Sequence, residues 1–382
     1  MKTWLAAFAM LLHSVILSAQ ERITLLFVGD LMQHQAQIDA ARTPEGTYDY
    51  SSCFALVKEQ IAQADIAIGN LEVTLGGRPY KGYPAFSAPD EYLSAIKEAG
   101  FDILLTANNH CLDRRRHGLE RTLLMLDSLD IPHAGTYRDS VERRSNYPLI
   151  IEKKGFRIAF LNYTYGTNGI PTTPPNIVNR IDKTIMRNDI LLAKSYRPDA
   201  IIACMHWGQE YQRLPNDEQC ALADWLLQQG VTHIIGSHPH VIQPMELRTE
   251  GLQQHVIVYS LGNFISNMSA PNTDGGLVFT LELEKYPLKC QVIPPPFFEA
   301  TSGKSYQPLL HPYPCCRVAN CSYNLVWTLP PRYSGRKNFV LYPIGLPTDS
   351  LSQDARNRLS IFTNSTRKLL RQHNIGIDEH KK

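Results

Sequence analysis

Two histidines separated by one proline, His238 and His240, stand in the run Gly236-Ser237-His238-Pro239-His240. Imidazole is the commonest side-chain metal ligand, and two imidazoles flanking a proline seldom serve packing alone. The sequence predicts an extended segment here, in which residues two apart project to the same side. Further ligand-type residues stand upstream: Asp30 after Gly29, Asn70 and Glu72 after Gly69, Asn109 and His110 in Asn108-Asn109-His110, and His206 before Trp207-Gly208. Imidazole, carboxylate and amide oxygen together suit a borderline divalent ion such as Mn²⁺, Zn²⁺ or Fe²⁺ better than Ca²⁺, which prefers oxygen throughout. One such ion, or two held about 3.5–4 Å apart, would clamp a phosphoryl or acyl group and acidify a water. Taken singly, Asp30 and Glu72 also suit helix N-caps, Asn109 a left-handed turn position, and His206 a packed core histidine.

What unites these residues is their place after apolar runs. Ile23–Val28 ends in Gly29-Asp30, Ile66–Ile68 in Gly69-Asn70-Leu71-Glu72, and Asp102–Leu105 leads to Asn108-Asn109-His110. Ala200–Met205 ends in His206, His233–Ile235 in the histidine pair, and Val256–Ser260 in Leu261-Gly262-Asn263-Phe264. Helical periodicity fills the spaces between, over residues 51–63, 90–99, 119–129, 189–195 and 217–229. Strands alternating with helices predict an α/β layered fold. In such sheets ligands bind beyond the carboxyl ends of the strands, so polar residues placed there repeatedly predict one convergent site. The glycine before Asp30 is expected to let the backbone turn and aim the carboxylate over the sheet edge.

Around that site, Arg78 and Lys81 in the loop after Glu72 suit a substrate rim, and Asn263 a substrate contact or a support for a ligand. Glu210 and Tyr211, just after His206, are placed to orient imidazole ligands from behind. Arg114, Arg115 and Arg116 read as a solvated helix face or as groups facing a polyanion. The chain has 382 residues, 43 % of them hydrophobic and 19 % charged, which excludes wholesale disorder. Its net charge of +2 gives no field that would recruit nucleic acid.

Residues 1–19 have a short basic start at Lys2, an apolar stretch from Trp4 to Leu17, and small residues Ser18-Ala19. That layout predicts a secretory signal peptide and a periplasmic or cell-envelope location; if it stays uncleaved, it is the one route to membrane association. Residues 20–285 then form the main domain. Residues 286–382 form a Pro-rich extension of β or irregular structure packed on it, with an amphipathic helix over Asp349–Gln372 whose apolar side carries Leu351, Leu359, Phe362, Leu369 and Leu370. Cys53, Cys111, Cys204 and Cys220 read as small buried apolar groups. Cys290, Cys315, Cys316 and Cys321 cluster closely enough for one disulfide, of a connectivity that spacing leaves open.

The ordered set Gly29-Asp30, Gly69-Asn70-Leu71-Glu72, Asn108-Asn109-His110, His206-Trp207-Gly208-Gln209-Glu210-Tyr211, Gly236-Ser237-His238-Pro239-His240 and Tyr259-Ser260-Leu261-Gly262-Asn263-Phe264 resembles the CapA family of bacterial poly-γ-glutamate capsule synthesis proteins. The resemblance covers about residues 22–285. That family is in turn similar to the calcineurin-like metallophosphoesterases, which implies a four-layer α/β/β/α sandwich with a two-metal site. By this likeness Asp30 is a first-metal ligand, Asn70 or Glu72 stands at the bridging position, Asn109 binds the second metal, and His206, His238 and His240 complete the set. His110 is the implied acid for the leaving group, so that catalysis turns on Asp30 and His110.

Three departures stand against that pattern: Met32 replaces the histidine of Asp-x-His, Asn70 replaces an aspartate, and Cys111 follows the Asn-His pair in place of an acid. A neutral amide cannot bridge two cations, which leaves Glu72 to do so or the site with one ion. The resemblance implies an exported, metal-dependent hydrolase of capsule or envelope polymer biosynthesis, working on an anionic polymer or its precursors beside other capsule-synthesis proteins. The alternatives are a non-catalytic envelope protein that binds such a polymer or partner enzymes with a degenerate metal site, and an exported nucleotidase.

Overall fold

The computed structural model describes residues 21–285 and 316–380. The signal-like segment and two of the clustered cysteines, Cys290 and Cys315, lie outside the described residues. The first half runs β1 (Arg22–Leu31), α1 (Gln35–Ala41), α2 (Ser51–Phe54), α3 (Lys58–Ala62), β2 (Ile66–Leu71), α4 (Asp90–Ala99), β3 (Ile103–Leu105), α5 (Arg115–Ser128) and β4 (His133–Ala134). Next come β5 (Thr136–Tyr137), α6 (Ser140–Asn146), β6 (Leu149–Lys153), β7 (Phe156–Thr164), β8 (Ile177–Val178), α7 (Lys183–Ser195), β9 (Ala200–His206) and α8 (Asp217–Gln228). Then follow β10 (His233–Ser237), β11 (Met245–Glu250), β12 (Gln253–Val258), β13 (Asn263–Ile265) and β14 (Gly275–Lys285). The last part holds β15 (Cys316–Leu329), α9 (Pro331–Ser334), β16 (Val340–Pro343), α10 (Gln353–His373) and β17 (Asp378–Glu379).

The strands form two main sheets. The first has the order β16-β15-β14-β1-β2-β3-β4, with β13 also on β1 and β17 on β15; the second has the order β11-β12-β10-β9-β7-β6. The strands that carry ligand-type residues run parallel within each sheet, β1-β2-β3 in one and β7-β9-β10 in the other. Their carboxyl ends therefore share one edge per sheet.

Period-two alternation decides the layering. Ile23, Leu25 and Phe27 of β1 share one core with Ile158 and Phe160 of β7 and Ile202 and Cys204 of β9, which places the two sheets face to face. The intervening Leu26 and Val28 pack instead with Tyr92, Leu93 and Leu123 of α4 and α5. On the far side, Ile201, Ala203 and Met205 of β9 pack with Met186, Ile190 and Leu226 of α7 and α8. The result is the four-layer α/β/β/α sandwich. The helical stretch expected over 51–63 is two short helices, α2 and α3, interrupted at residues 55–57. Cys53, Cys111 and Cys204 are buried free thiols, and Cys220 is a half-buried one.

Past residue 316 the chain continues the first sheet. β15 pairs antiparallel with β14 from Gly275 opposite Trp327 to Lys285 opposite Cys316. The terminal amphipathic pattern forms α10, capped by the Ser352 side chain, which accepts from the Ala355 amide. Its Leu359, Phe362, Leu369 and Leu370 join the inter-sheet core beside Trp327. Phe362 lies so close to Gly275 that a Cβ there would come within 2.5 Å of the ring. Among the described residues, no helix is long and apolar enough to cross a membrane.

This packing makes α10 part of the core. Replacing Phe362 with Ala should lower unfolding stability by about 3–5 kcal/mol, read as a fall in the denaturation midpoint. An unchanged midpoint would show that α10 is an accessory tail.

Candidate metal centre

The ligand-bearing ends of β1, β2, β9 and β10, with the loop after β3, meet where the edges of the two sheets face each other. Asp30 and Asn70 are the penultimate residues of β1 and β2, Glu72 lies just beyond β2, His206 closes β9, and His238 and His240 follow β10. Neither Asp30 nor Glu72 caps a helix: the N-cap of α1 is His34 and that of α4 is Pro89. Gly29 serves close approach, not turning. Its backbone is not left-handed, and a Cβ on it would fall 1.8 Å from the Gly262 carbonyl oxygen. The Asp30 amide donates to that same oxygen at 3.1 Å.

The histidine pair departs from the extended segment expected of it. His238 has φ 100° and His240 φ 58°, so both occupy left-handed backbone that non-glycine residues rarely adopt and that clusters at functional sites. A tight turn, and not strand alternation, brings the imidazoles in. The ring centroids of His206 and His238 are 4.8 Å apart, and those of His238 and His240 are 5.9 Å apart.

Side-chain contacts knit the cluster. Asn70 Nδ2 donates to Asp30 Oδ1 at 2.7 Å and lies 3.3 Å from His206 Nδ1. His206 Nε2 is 2.8 Å from Asn109 Oδ1 and 3.7 Å from Glu72 Oε1. His240 Nδ1 is 3.0 Å from Asn263 Oδ1 and 3.3 Å from Asp30 Oδ2, and its Nε2 is 3.8 Å from Glu72 Oε1. Two trios place their ligand atoms within 4.8 Å of one another, Glu72-His238-His240 and Asp30-Glu72-His206. Glu72 belongs to both.

The donor set fits a divalent cation. Both Glu72 carboxylate oxygens, Asp30 Oδ2, Asn70 Oδ1 and His238 Nδ1 are buried without a hydrogen-bond partner, and each such atom costs about 1–3 kcal/mol unless something satisfies it. Burial, followed by the charge of Asp30, raises the Glu72 carboxyl well above its ordinary range. Burial and then the neighbouring imidazoles hold His206 well below its usual value, and burial brings His238 down to about 3. Both rings are thus neutral, the form that ligates metal. In His240 burial pulls the same way, but the hydrogen bond and charge of Asp30 outweigh it, so its pKa is raised.

His110 is held differently. Its Nδ1 lies 2.7 Å from Asp113 Oδ2, which also accepts from the Phe86 amide at 2.9 Å. The Phe86 ring stands edge-on to the imidazole at 4.7 Å. Asn108 ties this loop to the end of β2, donating to the Leu71 carbonyl at 2.8 Å and accepting from the His110 amide at 3.1 Å. The acid missing at Cys111 is therefore supplied two positions later by Asp113. Residue order alone does not reveal this partner, because the contact between Asp113 and His110 is made only by the folded loop. Met32 packs in the helix-side core and not among the ligands.

The other expected residues sit further out. Asn263 is fully buried against His240 and supports the imidazole. Arg78 and Lys81 are exposed in the loop after Glu72, Arg78 lying over the Tyr80 ring at 4.9 Å. Arg114 donates to the Pro79 carbonyl, and Arg116 pairs with Glu120 on a solvated face. Tyr211 flanks His240 at 6.4 Å between ring centroids, with Glu210 half-buried beside it. Hydrogen-bond partners of the clustered imidazoles include Asn263, Asn70, Asn109 and Asp113. Two further residues escaped sequence reasoning: Tyr165, 4.4 Å from His238 between centroids, and His34, whose Nδ1 accepts from the Asn267 amide at 3.2 Å. Tyr165 directly follows β7, so the strand-end rule that found the others would have found it.

Two stacked sheets between helices, with buried carboxylates and imidazoles at the facing strand ends, define a four-layer α/β/β/α protein with a metal-type site. Residues 24–268 match the family model described as bacterial capsule synthesis protein PGA_cap, and the chain belongs to that family. It is similar to the capsule biosynthesis protein CapA of Bacillus anthracis, at 28 % identity over 273 residues, 68 % of this chain and 63 % of that protein. It is also similar to the PGA biosynthesis protein CapA of Bacillus subtilis (strain 168), at 28 % over 320 residues, 79 % of this chain and 78 % of that protein. The chain therefore spans just under two thirds of the Bacillus anthracis relative's length. Among solved structures it is similar to a calcineurin-like phosphoesterase of Bacillus subtilis, at 14 % identity and TM-score 0.46 over 92 % of this chain and 99 % of that one. A putative 5′-nucleotidase from Staphylococcus aureus gives 13 % identity and TM-score 0.47 over 90 % and 58 %. Likeness at that level says nothing of activity.

The raised Glu72 carboxyl has a consequence for stability. With its folded pKa above the unfolded value near 4.5, the group favours the fold fully below that value, and the contribution is lost as pH rises through the folded pKa. In chelator-treated protein, Glu72→Gln should therefore gain on wild type as pH rises from about 5 to about 8, read by thermal unfolding. A pH-independent difference between the two would remove Glu72 from the buried cluster.

Proposed function

We propose that this chain is an exported, metal-dependent hydrolase of its family, acting on a phosphoester or related acyl bond in an anionic surface polymer of poly-γ-glutamate type or in its precursors. One observation carries this reading: Glu72, fully buried with both carboxylate oxygens unpartnered, is shared by two groups of ligand atoms. Asp30, Glu72 and His206 would hold one divalent ion, and Glu72, His238 and His240 a second if two bind, with the Asn70 and Asn109 amide oxygens beside them. When bound, such an ion supplies Lewis-acid stabilisation of negative charge developing on a phosphoryl or acyl oxygen.

The chain's own groups do the rest. Asp113 accepts from His110 Nδ1, which fixes the ring's orientation and leaves Nε2 as the nitrogen to serve a leaving group as proton donor. The Phe86 amide keeps Asp113 in place for that task. Asn263 and Asp30 fix the His240 ring from its Nδ1 side. Arg78 and Lys81 offer exposed positive charge to a polyanion on the loop that also carries Phe86. The support for a capsule or envelope role is the family and its two named relatives. A non-catalytic binding role is the second reading, and what favours it is Met32, which packs in the core where the wider superfamily would place a ligand.

Protein purified without added ions should carry at least one divalent metal per chain, and an Asp30→Ala/His238→Ala double variant should carry almost none. Equal metal content in the two defeats the site assignment. Metal-stimulated hydrolysis of p-nitrophenyl phosphate should fall by about 10²–10⁴-fold in His110→Ala with metal content unchanged. Full metal loading without turnover would hand the case to the binding role.

A further inference from the structure

A cavity of about 190 Å³ is enclosed by the segment after β13, the end of β15, α9 and α10. Three charged side chains line it: Arg332, Arg358 and Asp274. Asp274 Oδ2 accepts from Arg358 Nε at 2.7 Å and from Trp327 Nε1 at 3.3 Å. That contact uses one N–H of a guanidinium that has five, and among the described residues no hydrogen bond engages the Arg358 Nη groups. Arg332 forms no ion pair among the described residues; it lies over the Tyr333 ring at 4.9 Å, and Tyr333 stacks on Trp327 at 6.1 Å. Two arginines against one aspartate leave the lining with a net charge of +1.

The charges around it do not reverse that sign. Asp354, the one acid of α10, is exposed and pairs with neither arginine. Arg336 and Lys337 follow α9 on an exposed stretch, and the charge of Lys337 is felt by Glu45 and Asp49. Guanidinium forks bind carboxylates with paired hydrogen bonds. The net charge matches one carboxylate better than a phosphate monoester, which carries about −1.5 to −2. Trp327, Tyr333 and Phe339 add apolar surface that suits methylene groups.

One wall of the cavity is shared with the metal centre. Residues 266–269 line it, while the Asn267 amide donates to His34 Nδ1 at 3.2 Å. Asn263, which supports His240, donates to Met268 Sδ at 3.3 Å in the same stretch. The Asn267 side-chain amide and the Ser269 hydroxyl have no protein partner among the described residues, so both are available to a ligand.

We propose that this cavity is a carboxylate subsite, in which Arg332 and Arg358 bind a pendant α-carboxylate of a γ-linked glutamate chain and the aromatic rings cover its methylenes. This rests on the polymer part of the function proposed above and gives the chain a second point of attachment next to the metal centre.

Calorimetry on the full, metal-loaded chain in a His110→Ala background reads the site, with γ-linked triglutamate and glycerol 3-phosphate as probes. Triglutamate should bind, and Arg332→Ala should weaken it about 10–100-fold, the worth of one charge-assisted contact. Arg332→Lys, which keeps the charge and loses the fork, should recover only part of that loss. Glycerol 3-phosphate should be indifferent to both changes. Triglutamate affinity untouched by Arg332→Ala overturns the cavity; if Arg78→Ala or Lys81→Ala weakens it instead, the polymer reading stands without the cavity. Glycerol 3-phosphate binding that falls with Arg332→Ala makes this a phosphate site and overturns the carboxylate assignment. Absence of triglutamate binding sinks both the cavity and the polymer reading, and metal-stimulated hydrolysis is then judged by its own assay. Arg332-dependent binding to a chain that proves to have no turnover upholds the cavity while the hydrolase reading fails.

Discussion

Two carboxylates, Asp30 and Glu72, are wholly buried among imidazoles at the edge of the inter-sheet core. Removing such charges from water costs several kcal/mol per ion unless a partner offsets it. The protein's own groups offset only part. Asn70 and His240 approach Asp30, whereas Glu72 has imidazole nitrogens no closer than 3.7 Å and 3.8 Å. The rest of the molecule can be read as the framework that makes this costly placement hold, and a divalent cation is the partner whose charge matches the deficit.

That framework is two parallel strand sets facing each other. Because β1, β2 and β3 run parallel in one sheet and β7, β9 and β10 in the other, residues remote in sequence reach the same place without any long loop having to be positioned. Close backbone approach sharpens the convergence. Gly29 lies against the Gly262 carbonyl, and a Cβ on Gly236 would meet the Tyr259 carbonyl oxygen at 2.0 Å. Substituting either residue would push apart the segments that deliver Asp30, His238 and Asn263. The left-handed turns at His238 and His240 complete the geometry at a local cost in backbone strain that the buried surroundings hold in place.

Much of this was legible from residue order alone, since the strand-end rule needs only apolar runs and the polar residues that follow them. It located Asp30, Asn70, Glu72, Asn109, His110, His206, His238 and His240, which the fold brings together. It failed where the determinant was three-dimensional. Whether a histidine pair meets by strand alternation or by a turn is set by φ angles that residue types do not reveal. Residue order left two roles open for Asn263, ligand support or substrate contact, and only the pairing of β13 with β1 shows it buried behind His240. Asp113 lies within a helix-entry segment, and only the folded loop shows its carboxylate against His110. The register that joins β15 to β14 in the first sheet pairs residues far apart in the sequence, which periodicity does not reveal.

Charge near the imidazoles comes from residues that the folded chain brings in. Asn70 offers a neutral amide, but Glu72 stands two residues on with both oxygens unpartnered and reaches both ligand groups. Cys111 offers His110 no acid, and Asp113 provides one. Met32 adds no ligand, since its side chain packs in the helix-side core. The C-terminal helix also bears on the centre. Arg213, on the loop after His206, donates to Ser365 of α10 at 2.8 Å, and Ser365 in turn donates to Asn272 at 2.9 Å in the segment after β13. The loop carrying Tyr211 and the segment following Asn263 are thus fastened to one helix, whose own place in the core is fixed by Phe362 and its neighbours. Rigidity at the rim of the centre is inherited from the packing of a tail that carries no ligand of its own.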